Sequence, residues 1–120
     1  MKPTQKQSVG GFGEETAWAH LARHGFRLVQ YNYRTRFGEV DILAEDGAVL
    51  VFAEVKTRRT GAKILGEEAV DFRKQQRLRA AAAQYLAEHP TELQPRFDVL
   101  CVDLAPGGQV AEIRWLQDAF

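Results

Sequence analysis

A chain of 120 residues, 45% hydrophobic and 27% charged, has the size and composition of a single globular domain. Its one cysteine, Cys101, excludes an internal disulfide, and the lack of a leader or of an apolar run near the roughly 18 residues of a membrane span predicts a cytoplasmic protein. The formal net charge is zero, but basic residues concentrate in 20–36 and 56–79 and acidic residues in 39–54. This separation predicts a basic surface beside an acidic pocket, with solvated helix and loop faces as the alternative.

Periodicity and turn residues predict one domain over residues 1–120, in which residues 1–9 form a loose N-terminus. The first helix is expected to end at Gly25, and Asp46-Gly47 is expected to turn a β-hairpin. The predicted elements are helix 11–24, strands 26–36, 39–44 and 49–57, a basic loop 58–67, helix 69–88, and strands 97–104 and 110–116. This α-β-β-β-α-β-β order predicts an α/β fold of the α+β type, with a central mixed β-sheet flanked by helices.

The hairpin is expected to place charged side chains on one face of the sheet. A two-residue loop at its turn makes Glu39 face Glu54, whereas a four-residue loop makes Asp41 face Glu54. Either way Asp41, Glu54 and Lys56 share one face, because side chains alternate along a strand. The opposite face is wholly apolar and is expected to be core: Val40, Ile42, Ala44, Val49, Val51, Ala53 and Val55. The charged face is ionic at one end only, which predicts a pocket there.

Three carboxylates, those of Glu39, Asp41 and Glu54, are therefore expected together beside Lys56. Two charges about 5 Å apart repel each other by roughly 3 kcal/mol at an effective dielectric near 20. A bound divalent cation offsets this repulsion, and hard oxygen ligands with neither His nor Cys nearby favour magnesium or manganese over zinc. The structural alternative is a surface ion pair between Glu54 and Lys56.

Both helices are expected to bring polar residues toward this pocket. Glu14 falls at the centre of the apolar arc of the first helix and Glu15 at its edge, so Glu14 is either a partly buried site residue or an acid favoured by the helix dipole. The apolar stripe of the second helix consists of Leu78, Ala81, Ala82 and Tyr85. Extended backwards, that stripe reaches Gln75, Lys74 and Asp71, where Lys74 and the positive end of the helix suit a phosphate. For Asp71, fraying into solvent is the alternative.

Several short motifs together resemble those of a known family. They are Gly13-Glu14, Gly38-Glu39-Val40-Asp41-Ile42-Leu43, Phe52-Ala53-Glu54-Val55-Lys56-Thr57-Arg58, Lys74 and Arg96-Phe97-Asp98-Val99. Over residues 8–103 the chain resembles the bacterial YraN-type family, which is classed as restriction-endonuclease-like and is similar to Holliday-junction resolvases. The resemblance implies a nuclease whose loose signature falls on Glu14, Asp41, Glu54 and Lys56. Val40 replaces the proline that often precedes the aspartate.

The resemblance also implies roles for these residues. Asp41, Glu54 and the backbone carbonyl of Val55 would hold Mg²⁺ or Mn²⁺ against a phosphate, and Lys56 would orient the attacking water. Glu14 would hold a second ion or a metal-bound water. Glu39 would do likewise or would pair with a nearby arginine.

The expected ligand is nucleic acid, in the first place DNA and including branched DNA. The residues expected to bind its phosphates are Arg58, Arg59, Lys74, Gln75 and Arg77. A non-catalytic nucleic-acid-binding module or an adaptor on the same fold is the alternative function. DNA against RNA, branched against linear substrate, and a monomer against a homodimer stay open.

Overall fold

The structure, a computed structural model, describes residues 11–59 and 70–120. The predictions for residues 1–9 and for 60–67 of the basic loop lie outside the described residues. Within them the elements are α1 (Phe12–Arg23), β1 (Arg27–Arg34), β2 (Glu39–Glu45), β3 (Val49–Arg59), α2 (Phe72–Glu88), β4 (Gln94–Leu104) and β5 (Val110–Leu116). The predicted order is confirmed. No helix in these two ranges is long and apolar enough to cross a membrane.

Two strands are longer than predicted by two residues or more. β3 continues through Arg58 and Arg59, which were predicted to begin the basic loop, because the parallel ladder with β4 extends to the last residue of both strands. β4 begins at Gln94 rather than Phe97, and the amide of Gln94 donates to the carbonyl of Ala48 over 2.8 Å. Pro95 is tolerated in this strand because β5 pairs with β4 only from Val99 onwards, so no neighbour on that edge needs its missing N–H.

The five strands form one mixed sheet in the order β1-β2-β3-β4-β5. β3 and β4 pair in parallel, and the other neighbours are antiparallel. α1 packs on one face over Ala17 and Leu21, and α2 packs on the other over the predicted stripe of Leu78, Ala81, Ala82 and Tyr85. Each helix buries one face of the sheet, as a two-sided sheet requires.

The hairpin between β2 and β3 has a four-residue loop, which is the second of the two alternatives left open by the sequence. Glu45 pairs with Leu50 rather than with Ala48. The carboxylate of Asp46 accepts backbone N–H groups from Ala48 and Val49 over 2.9 and 2.8 Å, which stabilises the wider turn. The observed pairs end at Ile42 with Ala53, and Asp41 and Glu54 are the next residues on the two strands, as the four-residue alternative predicted.

The core confirms the predicted faces of the hairpin except at Val40. Ile42 packs in the cluster under α1, as predicted. Val40, predicted to lie on the same face, packs instead with Tyr33 and Leu43 in the cluster under α2.

An irregularity at Asn32 and Asp41 accounts for the different position of Val40. Asn32 has a φ of 51°, in the left-handed region that asparagine tolerates better than most residues. The pairs on either side of it are Tyr31 with Ile42 and Tyr33 with Val40, so Asn32 lies across from Asp41. The first pair packs under α1 and the second under α2. Both strands therefore change face where Asp41 lies.

Candidate functional site

A cavity of about 330 Å³ lies between the sheet and the beginning of α2. The residues that line it are Glu39, Asp41, Glu54, Asp71, Arg73, Lys74, Arg77 and Leu78. The three carboxylates predicted from the hairpin thus share one space with two of the predicted phosphate-binding residues, Lys74 and Arg77. Side chains that bind cations and side chains that bind anions face each other across it.

Asp41 is the carboxylate whose ionisation the site disturbs. It is half-buried, and its Oδ2 accepts the backbone N–H of Val55 over 2.9 Å. Burial, followed by the negative charge of Glu54, raises the pKa of Asp41 to about 7, although the bond from Val55 acts in the opposite direction. A divalent cation placed between two such carboxylates would reduce their electrostatic repulsion and favour the ionised form of Asp41.

Glu54 is buried, with only 6% of its surface exposed, and two lysines neutralise it. Its Oε2 lies 2.8 Å from Nζ of Lys74 and 3.2 Å from Nζ of Lys56. Burial, followed by the neighbouring Lys74, lowers the pKa of Lys56. Burial also lowers the pKa of Lys74, but its bond to Glu54 and the charge of that carboxylate outweigh this effect and leave the pKa raised. The ion pair between Glu54 and Lys56 is therefore part of a partly buried cluster around Glu54, unlike the surface pair of the structural alternative.

Glu14 lies beside this cavity without lining it. It is half-buried while Glu15 is exposed, so the helical phase is the one predicted. Its Oε1 accepts from Nδ2 of Asn32 over 3.2 Å. Burial, and then the charges of Glu39 and Glu54, raise its pKa, while the bond from Asn32 acts in the opposite direction. Asn32 thus links α1 to the site. In the sequence, the only signal for this role was the presence of an asparagine between two tyrosines in an aromatic-rich strand.

Glu39 takes one of the two roles left open for it. Its Oε2 lies 3.1 Å from Nε of Arg34, so it pairs with an arginine on the neighbouring strand. It still lines the cavity, but this ion pair partly neutralises it.

The available donors suit magnesium or manganese better than zinc. In the two described ranges, no three His, Cys, Asp or Glu side chains lie close enough together to hold a metal ion by themselves. Magnesium in phosphoryl-transfer sites is commonly held by one or two carboxylates, with waters and substrate phosphates completing its shell. Asp41 and Glu54 supply such a pair of hard oxygen ligands on the cavity wall. The role predicted for the carbonyl of Val55 stays a prediction.

The predicted phosphate-binding residues divide into two groups. Lys74 and Arg77 line the cavity, whereas Arg58, Arg59 and Gln75 do not. Arg58 is partly buried and its Nε lacks a hydrogen-bond partner among the described residues, while Arg59 is exposed. The amide Nε2 of Gln75 donates to the carbonyl of Val70 over 3.0 Å.

Two charged cavity residues at the beginning of α2 were not predicted as site residues. Asp71 does not fray but caps α2, since its Oδ1 accepts the backbone N–H of Lys74 over 2.9 Å. Arg73 lines the cavity and adds positive charge to the first turn of the helix. Its place in the basic run from Arg73 to Arg79 was the one available signal.

Fold and site together define an α+β protein in which carboxylates from a central hairpin face the basic beginning of a helix across a small cavity. The sequence profile of the uncharacterised protein family UPF0102 matches residues 13–102, and the chain belongs to this family. The predicted resemblance to the YraN-type family is thereby confirmed.

Relatives of similar length support this assignment. A UPF0102 protein of Frankia alni is 46% identical over 96% of this chain and 96% of its own. One of Symbiobacterium thermophilum is 45% identical over 93% of this chain and 95% of its own. One of Syntrophus aciditrophicus is 42% identical over 98% of this chain and 91% of its own. None of these names states an activity, so a function has to be argued from the site.

Proposed function

We propose that the protein is a metal-dependent endonuclease that hydrolyses phosphodiester bonds in nucleic acid, in the first place DNA, including branched DNA. One observation carries this proposal. Asp41 and Glu54 line the same cavity of about 330 Å³ as Lys74 and Arg77. Oxygen ligands for a cation and basic groups for a phosphate are the two requirements of metal-assisted phosphodiester hydrolysis.

In this proposal Asp41 and Glu54, with the carbonyl of Val55, hold Mg²⁺ or Mn²⁺. The ion supplies positive charge at the phosphate and lowers the pKa of the attacking water. The bond from the amide of Val55 fixes the carboxylate of Asp41, and it does so over 2.9 Å. Glu14 lies beside the cavity, where it can hold a water or a second ion.

In this proposal Lys56 and Lys74 have different roles. Lys56, whose pKa is lowered by burial and by Lys74, orients the attacking water and stabilises charge that develops on the phosphate. Lys74 is more exposed and stands at the beginning of α2, so it is the lysine that exchanges its bond to Glu54 for one to the phosphate. This exchange would remove one of the two positive charges that pair with Oε2 of Glu54.

A non-catalytic nucleic-acid-binding module is the second candidate, and the pairing of Glu54 supports it. With two lysines within 3.2 Å of its Oε2, Glu54 is neutralised without a cation. The raised pKa of Asp41 supports the nuclease instead, since a pure binding protein gains nothing from a carboxyl held near a phosphate.

Cleavage of a panel of end-labelled substrates distinguishes the nuclease from the non-catalytic binding module. The panel comprises a single strand, a blunt duplex, a flap and a four-way junction, each as DNA and, where it can be made, as RNA. Each is incubated with Mg²⁺, Mn²⁺ or EDTA. The nuclease proposal requires cleavage of at least one substrate with a metal ion and none with EDTA. Intact binding without any cleavage across the panel would instead support the binding module.

A further inference from the structure

Two exposed phenylalanine rings belong to residues that are close in sequence to residues lining the cavity. Phe72 is 72% exposed and is the first residue of α2, between Asp71 and Arg73, both of which line the cavity. Phe37 is 52% exposed and lies two residues before Glu39, which also lines it. Exposed aromatic rings lose the burial that usually stabilises them, and at a functional site they are commonly contact residues.

The turn that carries Phe37 is held firmly against α2. A Cβ atom added to Gly38 would lie 2.9 Å from the carbonyl carbon of Arg77, so this glycine allows the turn to touch the helix backbone. Oγ1 of Thr35 accepts the N–H groups of Phe37 and Gly38 over 3.0 and 3.1 Å. Phe37 is therefore placed by a fixed turn, close to the part of α2 that forms the cavity wall.

The surroundings of both rings are basic. The guanidinium of Arg36 lies 5.4 Å from the centre of the Phe37 ring, and Arg73 follows Phe72 directly. Arg77, whose backbone lies against Gly38, also lines the cavity. An aromatic ring beside guanidinium groups is the combination that binds unpaired nucleotides, because the ring stacks on a base while the cations contact the phosphates.

We propose that Phe37 and Phe72 stack on unpaired bases of the strand whose phosphate enters the cavity. The substrate class is then nucleic acid with single-stranded nucleotides at the site, such as a single strand, a flap or an open junction. A continuous duplex fits poorly, because its bases are already stacked on each other and expose only their edges in the grooves. The inference rests on the proposed function only in taking nucleic acid as the ligand, not in requiring catalysis.

Binding in EDTA tests the proposal without cleavage. Fluorescence anisotropy is measured for a labelled single strand of about a dozen nucleotides, a blunt duplex of the same sequence and an abasic strand with the same backbone. The proteins are wild type, Phe37→Ala, Phe72→Ala and Val110→Ala. Val110 is a matched control, since it is 38% exposed and lies on β5, away from the cavity. Thermal unfolding checks that each variant is folded.

Each phenylalanine variant is expected to bind the single strand about 5- to 150-fold more weakly, the range found when one stacked base loses its aromatic partner. Binding to the duplex and to the abasic strand should change less than about twofold, because neither offers a free base to stack. Val110→Ala should match wild type on all three ligands. If the variants lose affinity equally for all three, or lose none, stacking is refuted.

The cleavage panel, combined with these binding measurements, tests base stacking and nuclease activity separately. Single-strand binding that depends on Phe37 and Phe72, without cleavage of any substrate, would support the stacking and overturn the nuclease. Metal-dependent cleavage that is equal for duplex and single strand, and unchanged in both variants, would support the nuclease and overturn the stacking. Failure of the wild type to bind any nucleic acid would overturn both.

Discussion

The substitution Asp41→Asn keeps the shape of the side chain and removes its charge. In the folded protein, burial and the charge of Glu54 raise the pKa of Asp41 from 3.8 to about 7. In the unfolded chain the pKa returns to about 3.9, so between about pH 4 and pH 7 the folded state keeps a proton that the unfolded state has lost. The stability of the wild type therefore falls as the pH rises through this window and stays lower above it.

The magnitude follows from the same change in pKa. At pH 8, ionising Asp41 in the folded protein costs about 4 kcal/mol, because a tenfold change in proton affinity is worth about 1.4 kcal/mol. Asparagine avoids this cost and keeps an oxygen for the N–H of Val55. We expect Asp41→Asn to be more stable than wild type by about 2–4 kcal/mol at pH 8, and by about 1 kcal/mol or less at pH 4.5.

Urea unfolding in EDTA, followed by the fluorescence of Trp18 and Trp115, measures this difference between pH 4.5 and pH 8. Ionisable groups common to both proteins cancel in the comparison. Asp46→Asn is the control of opposite sign, because hydrogen bonds from Val49 and Ala48 lower the pKa of Asp46, and this variant should lose stability at neutral pH. A difference for Asp41→Asn that does not change with pH, or a variant less stable than wild type at pH 8, would refute the reasoning.

The same unfolding experiment, repeated with Mg²⁺ in place of EDTA, tests whether the ion binds at Asp41. A cation that binds only the folded protein raises the free energy of unfolding. At pH 8, Mg²⁺ should therefore stabilise the wild type and leave Asp41→Asn almost unchanged. Equal stabilisation of both proteins would show that the ion binds elsewhere.

Four further substitutions test other parts of the structure. Lys74→Ala or Arg77→Ala should weaken nucleic-acid binding at every sequence and reduce the slope of log affinity against log salt by about one per lost phosphate contact, and an unchanged slope would exclude these residues from the interface. Gly38→Ala should lower the free energy of unfolding by about 1–3 kcal/mol in urea, because its Cβ would press on the backbone of Arg77, and an unchanged midpoint would contradict that contact. Asp98→Ala should cost about 3–5 kcal/mol, because Asp98 is fully buried and its loss leaves Arg96 without its carboxylate, whereas a loss below about 1 kcal/mol would contradict the importance of this pair.

Alternation along the hairpin was enough to predict which acids share a face. A two-residue and a four-residue loop differ by an even number of positions, so both alternatives bring Asp41, Glu54 and Lys56 together. In the structure Asp41 and Glu54 line one cavity and Lys56 pairs with Glu54. In the same way, the helical period was enough to place Glu14 inside and Glu15 outside.

The remaining features depend on tertiary placement, which periodicity does not report. Val40 changes face because Asn32 adopts a left-handed conformation across from Asp41. Alternation of apolar and polar residues does not predict such a local change of backbone conformation. Lys74 lies closer to Glu54 than Lys56 does, because the beginning of α2 reaches the edge of the cavity. The sequence patterns of β3 and α2, taken separately, do not predict the distance between these two elements.

Cleavage by Glu54→Gln, compared with wild type and Glu15→Gln, tests the central claim most directly. Glu54 is buried in the lysine cluster, whereas Glu15 is exposed on α1, so the two substitutions remove the same charge in different places. The three proteins are purified side by side and assayed with Mg²⁺ on the best substrate of the panel, so a contaminating nuclease would act equally in all of them. The account predicts that wild type and Glu15→Gln cleave alike and that Glu54→Gln is slower by about 100-fold or more while it still binds. Equal cleavage by all three proteins would contradict it.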